Sequence, residues 1–144
     1  MASLFIADLH LDAARPQIAA LFENYLASDE VRQADALYIL GDLVEAWIGD
    51  DDDADMPRCI AAATRAVRDA GVPVYFMVGN RDFLLGKTFA ERAGLTLLDD
   101  GVVHEIHGRQ TLLMHGDVLC TDDVAYQAVR RQVRTPAWQT QILS

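Results

Sequence analysis

The sequence predicts an α/β domain built around a parallel sheet, and two observations support this fold class. Three short apolar runs, each the length of a buried strand, alternate with two stretches whose apolar residues recur at helical spacing. Each apolar run is followed at once by glycine or by polar residues. Strands that alternate with amphipathic helices form a βαβαβ unit, in which right-handed crossovers make the strands parallel.

The predicted elements follow in chain order. The three strands are expected at residues 4–7, 36–40 and 74–78. The first helix follows Pro16, a residue that is favoured in the first helical turn. The second begins near Pro57 and stops at Gly71, and a shorter helix is expected at 87–93.

The character of the chain changes after Gly94. The runs at 102–106 and 111–114 flank a turn and predict a β-hairpin. Asp122 is expected to cap a last helix, which Pro136 interrupts. The length of 144 residues predicts one domain, 1–144.

Composition limits the possible functions. The formal charge of −10 should repel nucleic acid, so no nucleic-acid partner is expected, and phosphorylated substrates are disfavoured unless bound cations reverse the local charge. Cys59 and Cys120 are isolated, which predicts buried free thiols in a reducing compartment. No apolar run approaches the roughly 20 residues of a membrane-spanning helix, so at most contact with a membrane surface is expected.

Polar side chains follow each predicted strand at the point where it ends. Asp8 and His10 follow the first strand, Asp42 the second and Asn80 the third, while His115 follows the hairpin. Because the carboxyl ends of parallel strands share one edge of a sheet, these side chains are expected to meet there.

This donor set favours a pair of transition-metal ions. Carboxylate, imidazole and amide oxygen suit Mn²⁺, Fe²⁺ or Zn²⁺, and Asp42 is placed to bridge two ions. Taken singly, each residue has an ordinary structural explanation as a helix cap or a turn residue. Their occurrence at four successive strand ends predicts a metal site.

With Gly41, Gly79 and Gly116, these residues form a motif series that resembles the calcineurin-like metallophosphoesterase superfamily. The resemblance implies a two-sheet α/β sandwich around the βαβαβ core. The superfamily continues with a Gly-His-x-His motif that supplies further ligands, and this chain lacks it. The domain is therefore expected to be incomplete at its C-terminus, and an inactive metal-binding fragment is one alternative.

Longer stretches are similar to the UDP-2,3-diacylglucosamine diphosphatase family. They are Phe5–Leu11, Tyr38–Leu43, Glu45–Asp51, Gly79–Gly86, Met114–Asp117 and Leu119–Asp123. Arg81 stands where many superfamily members have a histidine that assists the leaving group. Arginine cannot donate a proton at neutral pH but suits a phosphate, which favours a diphosphate substrate. Another type of metallophosphoesterase is the alternative.

The family resemblance implies a role for each motif residue. Asp8 and His10 would hold one ion, Asn80 and His115 the other, and Asp42 would bridge them. Asn80, Arg81 and Asp123 would contact the substrate, so the implied catalytic set is Asp42, Asn80, Arg81 and His115.

The family resemblance also implies the reaction and its setting. Two divalent ions, with Mn²⁺ as the expected metal, would support hydrolysis of UDP-2,3-diacylglucosamine in lipid A biosynthesis. The products would be UMP and 2,3-diacylglucosamine 1-phosphate. The implied location is peripheral, at the cytoplasmic face of the bacterial inner membrane.

Other polar and aromatic residues receive structural interpretations. His104 and His107 are expected on the surface, and the acidic stretch 50–55 is expected to be a solvated loop rather than a calcium site. Asp12 and Asp117 are expected to orient His10 and His115. Trp47 and Tyr126 could each either pack or line the site.

Overall fold

The computed structural model describes residues 2–51, 54–119 and 121–143. Within them the strands are β1 (Ser3–Ile6), β2 (Ala36–Leu40), β3 (Val74–Met77), β4 (Leu95–Leu97), β5 (Val102–Ile106) and β6 (Arg109–Leu113). The α-helices are α1 (Pro16–Leu26), α2 (Asp29–Arg32), α3 (Asp55–Asp69), α4 (Lys87–Ala93), α5 (Val124–Val133) and α6 (Pro136–Leu143). The predicted α/β fold class is confirmed.

Four parallel strands form the main sheet in the order β1-β2-β3-β4, and β5 and β6 form the predicted antiparallel hairpin as a second sheet. Ile6 pairs with Ile39, and Leu40 pairs with Met77, so the first three strands end side by side. The fourth strand was not predicted because three residues are too few to show a periodic pattern. Gly94, at φ 71°, ends α4 and starts β4 directly.

Strand β2 contributes to a core on each face of the sheet, because successive side chains of a strand point to opposite sides. Leu37 and Ile39 of β2 join the larger core together with residues of α1, α3 and α4. Tyr38 of the same strand joins a smaller core with Met77 and Leu113, against the hairpin. The rings of Phe5, Tyr38 and Tyr75 stack across three strands at centroid distances of 4.9 and 4.8 Å.

The C-terminal helices correct one expectation and confirm another. The cap of α5 is Asp123 rather than Asp122, because the Asp123 carboxylate accepts the Tyr126 N–H at 3.0 Å. The expected interruption before Pro136 is confirmed, because α5 ends at Val133 and Pro136 begins α6, where its fixed φ suits a first helical residue. Over the described residues, no helix has both the length and the apolarity that crossing a bilayer requires.

The expectation that Cys59 is a buried thiol is wrong, because its side chain is exposed. Helix α3 buries Ile60, Thr64 and Val67 on one face, and a step of one residue along a helix turns a side chain by about 100°. Cys120 lies outside the described residues.

The acidic stretch differs from its prediction at Asp50, whereas Asp51 is exposed as expected. Asp50 accepts hydrogen bonds from Gly86 N at 2.9 Å, Phe89 N at 3.2 Å and Trp47 Nε1 at 3.0 Å. It therefore caps the start of α4 and is no part of a solvated loop, while Asp52 and Asp53 lie outside the described residues. Trp47 is buried and contacts Phe89 edge to face, which confirms the packing role.

Candidate metal centre

The predicted ligands meet at the carboxyl edge of the main sheet. Each of Asp8, His10 and Asp42 offers a ligand atom, and these atoms lie within 4.8 Å of one another. Asn80 and His115 adjoin them, with the Asn80 Oδ1 atom 3.0 Å from His115 Nε2. The expectation that five residues from four segments converge is confirmed, and their role as metal ligands stays a prediction.

Three of these residues have a strained backbone. Asp8, His10 and Asp42 adopt φ values of 56°, 49° and 52°, a left-handed conformation that costs a side-chain-bearing residue about 1–3 kcal/mol. The two-residue spacing of Asp8 and His10 would place both side chains on one side of a strand that continued through them. In fact β1 ends at Ile6, and the left-handed turns bring the two side chains together.

Backbone hydrogen bonds between the two ligand loops hold these strained turns. Asp8 N donates to Gly41 O at 3.1 Å, and His10 N donates to Asp42 O at 2.9 Å. Leu11 N then donates to Leu43 O at 2.9 Å, so the pairing of β1 with β2 continues through the site after the regular strands end. The parallel sheet thus sets the spacing between His10 and Asp42.

The carboxylate of Asp42 lies between the two imidazoles. Its Oδ2 atom is 3.7 Å from His10 Nε2 and 3.5 Å from His115 Nε2. The His115 ring is fixed by Leu40 O, which lies 2.8 Å from Nδ1. With Nδ1–H donating to that carbonyl, Nε2 is left as an acceptor that can bind a metal. This geometry suits Asp42 to a bridging role.

The side-chain amide of Asn80 points one of its two terminal atoms, the oxygen or the nitrogen, into the cluster. That atom lies 2.7 Å from Asp42 Oδ2 and 3.0 Å from both Asp42 Oδ1 and His115 Nε2. If this atom is the nitrogen, it donates to the Asp42 carboxylate and to His115 Nε2. If it is the oxygen, it is one more acceptor in the cluster, and a bound cation would offset the repulsion between these acceptors. Two carboxylates, two imidazoles and an amide oxygen fit a divalent transition metal.

Two glycines allow the ligand loops to approach each other. A Cβ atom on Gly79 would lie 2.5 Å from Asp42 N, and one on Gly41 would lie 2.5 Å from His115 Nδ1. Both distances are too short for any side chain. The close contacts that exclude a side chain at these two positions include the ligand residues Asp42 and His115 themselves.

Asp82 organises the centre, a role that its sequence position alone did not predict. Its carboxylate is fully buried and accepts hydrogen bonds from Gly79 N at 2.7 Å, Asp42 N at 3.2 Å and Leu43 N at 2.8 Å. Burial raises the pKa of Asp82, and the three backbone donors act in the opposite direction. The only signal in the sequence was its place as the fourth residue of the Gly-Asn-Arg-Asp motif.

Glu45, also missed, contacts two residues of the site. Its Oε2 atom is 3.0 Å from His10 Nδ1, close enough for charge pairing although not aligned for a hydrogen bond. Its Oε1 atom is 3.5 Å from the Arg81 guanidinium. Asp12, the residue expected to orient His10, instead accepts the Ala14 N–H at 3.1 Å in a local turn. That expectation is therefore wrong.

Asp117 does not orient His115 either. It faces α5, where it accepts hydrogen bonds from Tyr126 Oη at 2.6 Å and Arg130 Nε at 2.7 Å. Burial raises the pKa of Asp117, but these bonds and the neighbouring arginines outweigh burial and leave the pKa below its usual value. Asp100 contacts His115 instead, and its carboxylate accepts the backbone N–H of His115 at 3.2 Å.

Tyr126 combines both roles that were considered for it. Its hydroxyl donates to Asp117, while the residue lines a cavity of about 160 Å³ that Asn80, Phe83 and Arg134 also line. Burial, and then the Asp117 hydrogen bond, raise the pKa of Tyr126 to about 12.

The predicted substrate contacts lie on the outer side of the cluster. Arg81 is exposed, and its backbone N–H donates to Asp42 Oδ1 at 2.8 Å. Asp123 is exposed at the start of α5. The structure places both residues, and their contacts with substrate stay predictions.

Neither hairpin histidine belongs to the cluster. His107 is exposed as expected, with Nε2 3.1 Å from Ser3 Oγ. His104 differs from the surface prediction, because it is partly buried with Nδ1 3.0 Å from the Tyr38 hydroxyl. Both belong to the contact between the hairpin and the main sheet.

Comparison with known proteins agrees with the geometry of the site. A model of the calcineurin-like phosphoesterase family matches residues 1–141. A UDP-2,3-diacylglucosamine hydrolase from Xanthomonas oryzae pv. oryzae (strain PXO99A) is 59% identical over 144 residues, which is 100% of this chain and 58% of that protein. The protein of the same name from Escherichia coli O7:K1 is 60% identical over 144 residues, which is 100% of this chain and 60% of that protein. The chain thus spans about three-fifths of the length of these relatives.

Substitution of Asp82 by asparagine is expected to destabilise the fold by about 1–3 kcal/mol. The amide group of asparagine would face at least one of the three backbone N–H donors, and an unsatisfied buried group costs about that much. Urea unfolding measures the change, with Asp51→Asn, an exposed carboxylate, as the matched control. Equal midpoints for the two variants would contradict the role given to Asp82.

Substitution of Tyr126 by phenylalanine is expected to flatten the dependence of stability on alkaline pH. The folded-state pKa of about 12 exceeds the ordinary value of 10.0, so the protonated phenol stabilises the fold fully below pH 10. That contribution is lost as the pH rises from 10 towards 12. Urea midpoints measured over this range should fall more steeply for the wild type than for Tyr126→Phe, and parallel profiles would disprove the assignment.

Proposed function

Because the chain belongs to the calcineurin-like phosphoesterase family, we propose that the protein containing it hydrolyses the diphosphate of UDP-2,3-diacylglucosamine. Water attacks the phosphorus next to uridine and the bridging P–O bond breaks, which yields UMP and 2,3-diacylglucosamine 1-phosphate. The observation that carries this proposal is the convergence of the donors around Asp42. The names and high identity of the relatives support the choice of substrate.

The site residues are proposed to hold two divalent ions, with Mn²⁺ as the physiological metal. Asp8 and His10 would hold one ion, Asn80 and His115 would hold the other, and Asp42 would contact both. Ions held in this way supply positive charge that activates water and stabilises the oxygens on phosphorus. They also offset, at the site, the overall charge of −10 that would otherwise repel the substrate.

Arg81 gives the site its preference for a diphosphate. Its guanidinium is half exposed and has Glu45 as an ion-pair partner at 3.5 Å, so it is available to a substrate phosphate. It cannot act as a general acid at neutral pH. The leaving group proposed here is itself a phosphate, which departs without a proton, so the reaction needs no acid at this position.

The remaining substrate contacts are assigned to the side of the site nearest α5. Asn80 reaches the diphosphate from the end of β3, and Asp123 contacts the substrate from the start of α5. Exposed apolar side chains on α5 and α6, among them Val124, Val129 and Ile142, would suit acyl chains or a lipid surface. We therefore propose a peripheral location at the cytoplasmic face of the bacterial inner membrane.

The full-length protein is expected to release UMP from UDP-2,3-diacylglucosamine when Mn²⁺ is present. Turnover should exceed that of bis(p-nitrophenyl) phosphate, because a nitrophenolate diester does not use the phosphate contact of Arg81. Comparing kcat/KM for the two substrates, with and without a chelator, provides the measurement. Faster turnover of the simple diester would instead support a general phosphodiesterase.

Substitution of Asp42 by asparagine is expected to reduce kcat/KM by more than about 100-fold, beyond what losing a supporting residue typically costs. The change preserves the shape of the side chain but removes the charge between the two imidazoles. Asp12→Asn is the matched control and should cost at most about tenfold, because its carboxylate serves a local turn. Similar losses in the two variants at saturating Mn²⁺ would refute the bridging role.

A further inference from the structure

A group of four charged side chains lies beside the metal centre, and we call it the arginine clamp: Asp100, Asp117, Arg130 and Arg134. Arg130 binds Asp117 through Nε at 2.7 Å and binds Asp100 through Nη2. Arg134 lies 3.6 Å from Asp117. The arginine side chains are each only 16% exposed, so solvent screens these contacts weakly.

The clamp reaches the backbone of two proposed ligands. Arg134 Nη2 donates to the carbonyl oxygen of Gly79, the residue before Asn80, at 2.9 Å. Asp100, bound by Arg130, accepts the backbone N–H of His115 at 3.2 Å. Asp8 and His10 are instead held by the backbone pairing that continues from β1 and β2. The contacts of the clamp thus fall on one half of the centre.

The positions of the arginines along α5 explain how one helix makes both contacts. Arg130 lies in the last turn of α5 and Arg134 is the C-cap residue of this helix. Because the two residues are four apart, their side chains lie on the same face of the helix. The planar guanidinium of Arg130 can bind two carboxylates at once, which an ammonium group cannot do with the same rigidity. Arg131, between them in sequence, is exposed on the other side.

We propose that Arg130 and Arg134 are positioning residues that set the geometry of Asn80 and His115, and thereby the affinity of the ion held by these two ligands. This inference rests on the metal site proposed above. Neither arginine would be a ligand of the ion. Each acts through a backbone atom next to, or within, a ligand residue, and α5 therefore controls one ion of the pair.

Electrostatics alone would have the opposite effect. Removing an arginine takes a positive charge away from the cation site and leaves Asp100 and Asp117 without their counter-charge. By charge alone, this change should strengthen metal binding. Loss of positioning should weaken it, because groups that orient ligands typically contribute about 10–100-fold to metal affinity. The sign of the change therefore separates positioning from simple charge.

Isothermal titration of the metal-free, full-length protein with Mn²⁺ tests the clamp. Arg130→Met and Arg134→Met are expected to lower the affinity for one of the two ions by about 10–100-fold and to leave the affinity for the other unchanged. Arg131→Met, the matched control on the same helix, should bind both ions as the wild type does. Arg130→Lys keeps the charge and most of the buried aliphatic part of the side chain. This variant should therefore fold and still have a lower affinity for that same ion.

The outcomes distinguish the clamp from the site it serves. A wild type that binds no Mn²⁺ would overturn the proposed metal site, and the clamp with it. A wild type that binds two ions, with arginine variants that bind both equally well or more tightly, would overturn the clamp alone. An equal loss of affinity for both ions would also overturn the clamp, since a general loss of structure affects both halves of the metal centre. Thermal unfolding of each variant identifies that last case directly.

Discussion

The buried carboxylate of Asp82 joins the loops after β2 and β3, and the geometry of the metal centre depends on this junction. Its two oxygens accept the N–H groups of Gly79, Asp42 and Leu43, so the peptide units around two proposed ligands share one acceptor. Water is excluded there, so each of these donors would be left unpaired without the carboxylate. The two loops can then approach so closely that Gly79 admits no Cβ atom.

The rest of the centre is built around this junction by two different means. Continued pairing between the chains after β1 and β2 stabilises the left-handed turns at Asp8, His10 and Asp42. His115 comes from the hairpin and is held by side-chain and backbone contacts with Leu40 and Asp100. One half therefore inherits the rigidity of the sheet, while the other depends on packing between the hairpin, α5 and the sheet edge.

The arrangement of charge at the site suits the anionic substrate proposed for this acidic protein. Asp8 and Asp42 belong to the proposed ligand cluster, whereas the acidic side chains beside it, Asp100 and Asp117, are paired with arginines. Arg81 lies on the open side, where Glu45 is its ion-pair partner among the described residues at 3.5 Å. The same arrangement separates the proposed metal ligands from Arg81, the residue proposed to bind phosphate, as the proposed diphosphate chemistry requires.

The sequence by itself determined the parallel βαβαβ core, the hairpin and the convergence of Asp8, His10, Asp42, Asn80 and His115. These follow from local signals: apolar periodicity, glycine at strand ends, and the rule that parallel strands end at one edge. Only the tertiary structure decided the roles of Asp82, Glu45, Asp50 and the arginine clamp. Their contacts join residues far apart in sequence, such as Arg134 and Gly79, and a carboxylate or guanidinium carries no periodic signal of its partner. The partner is fixed by which loops the folded sheet brings within hydrogen-bonding distance.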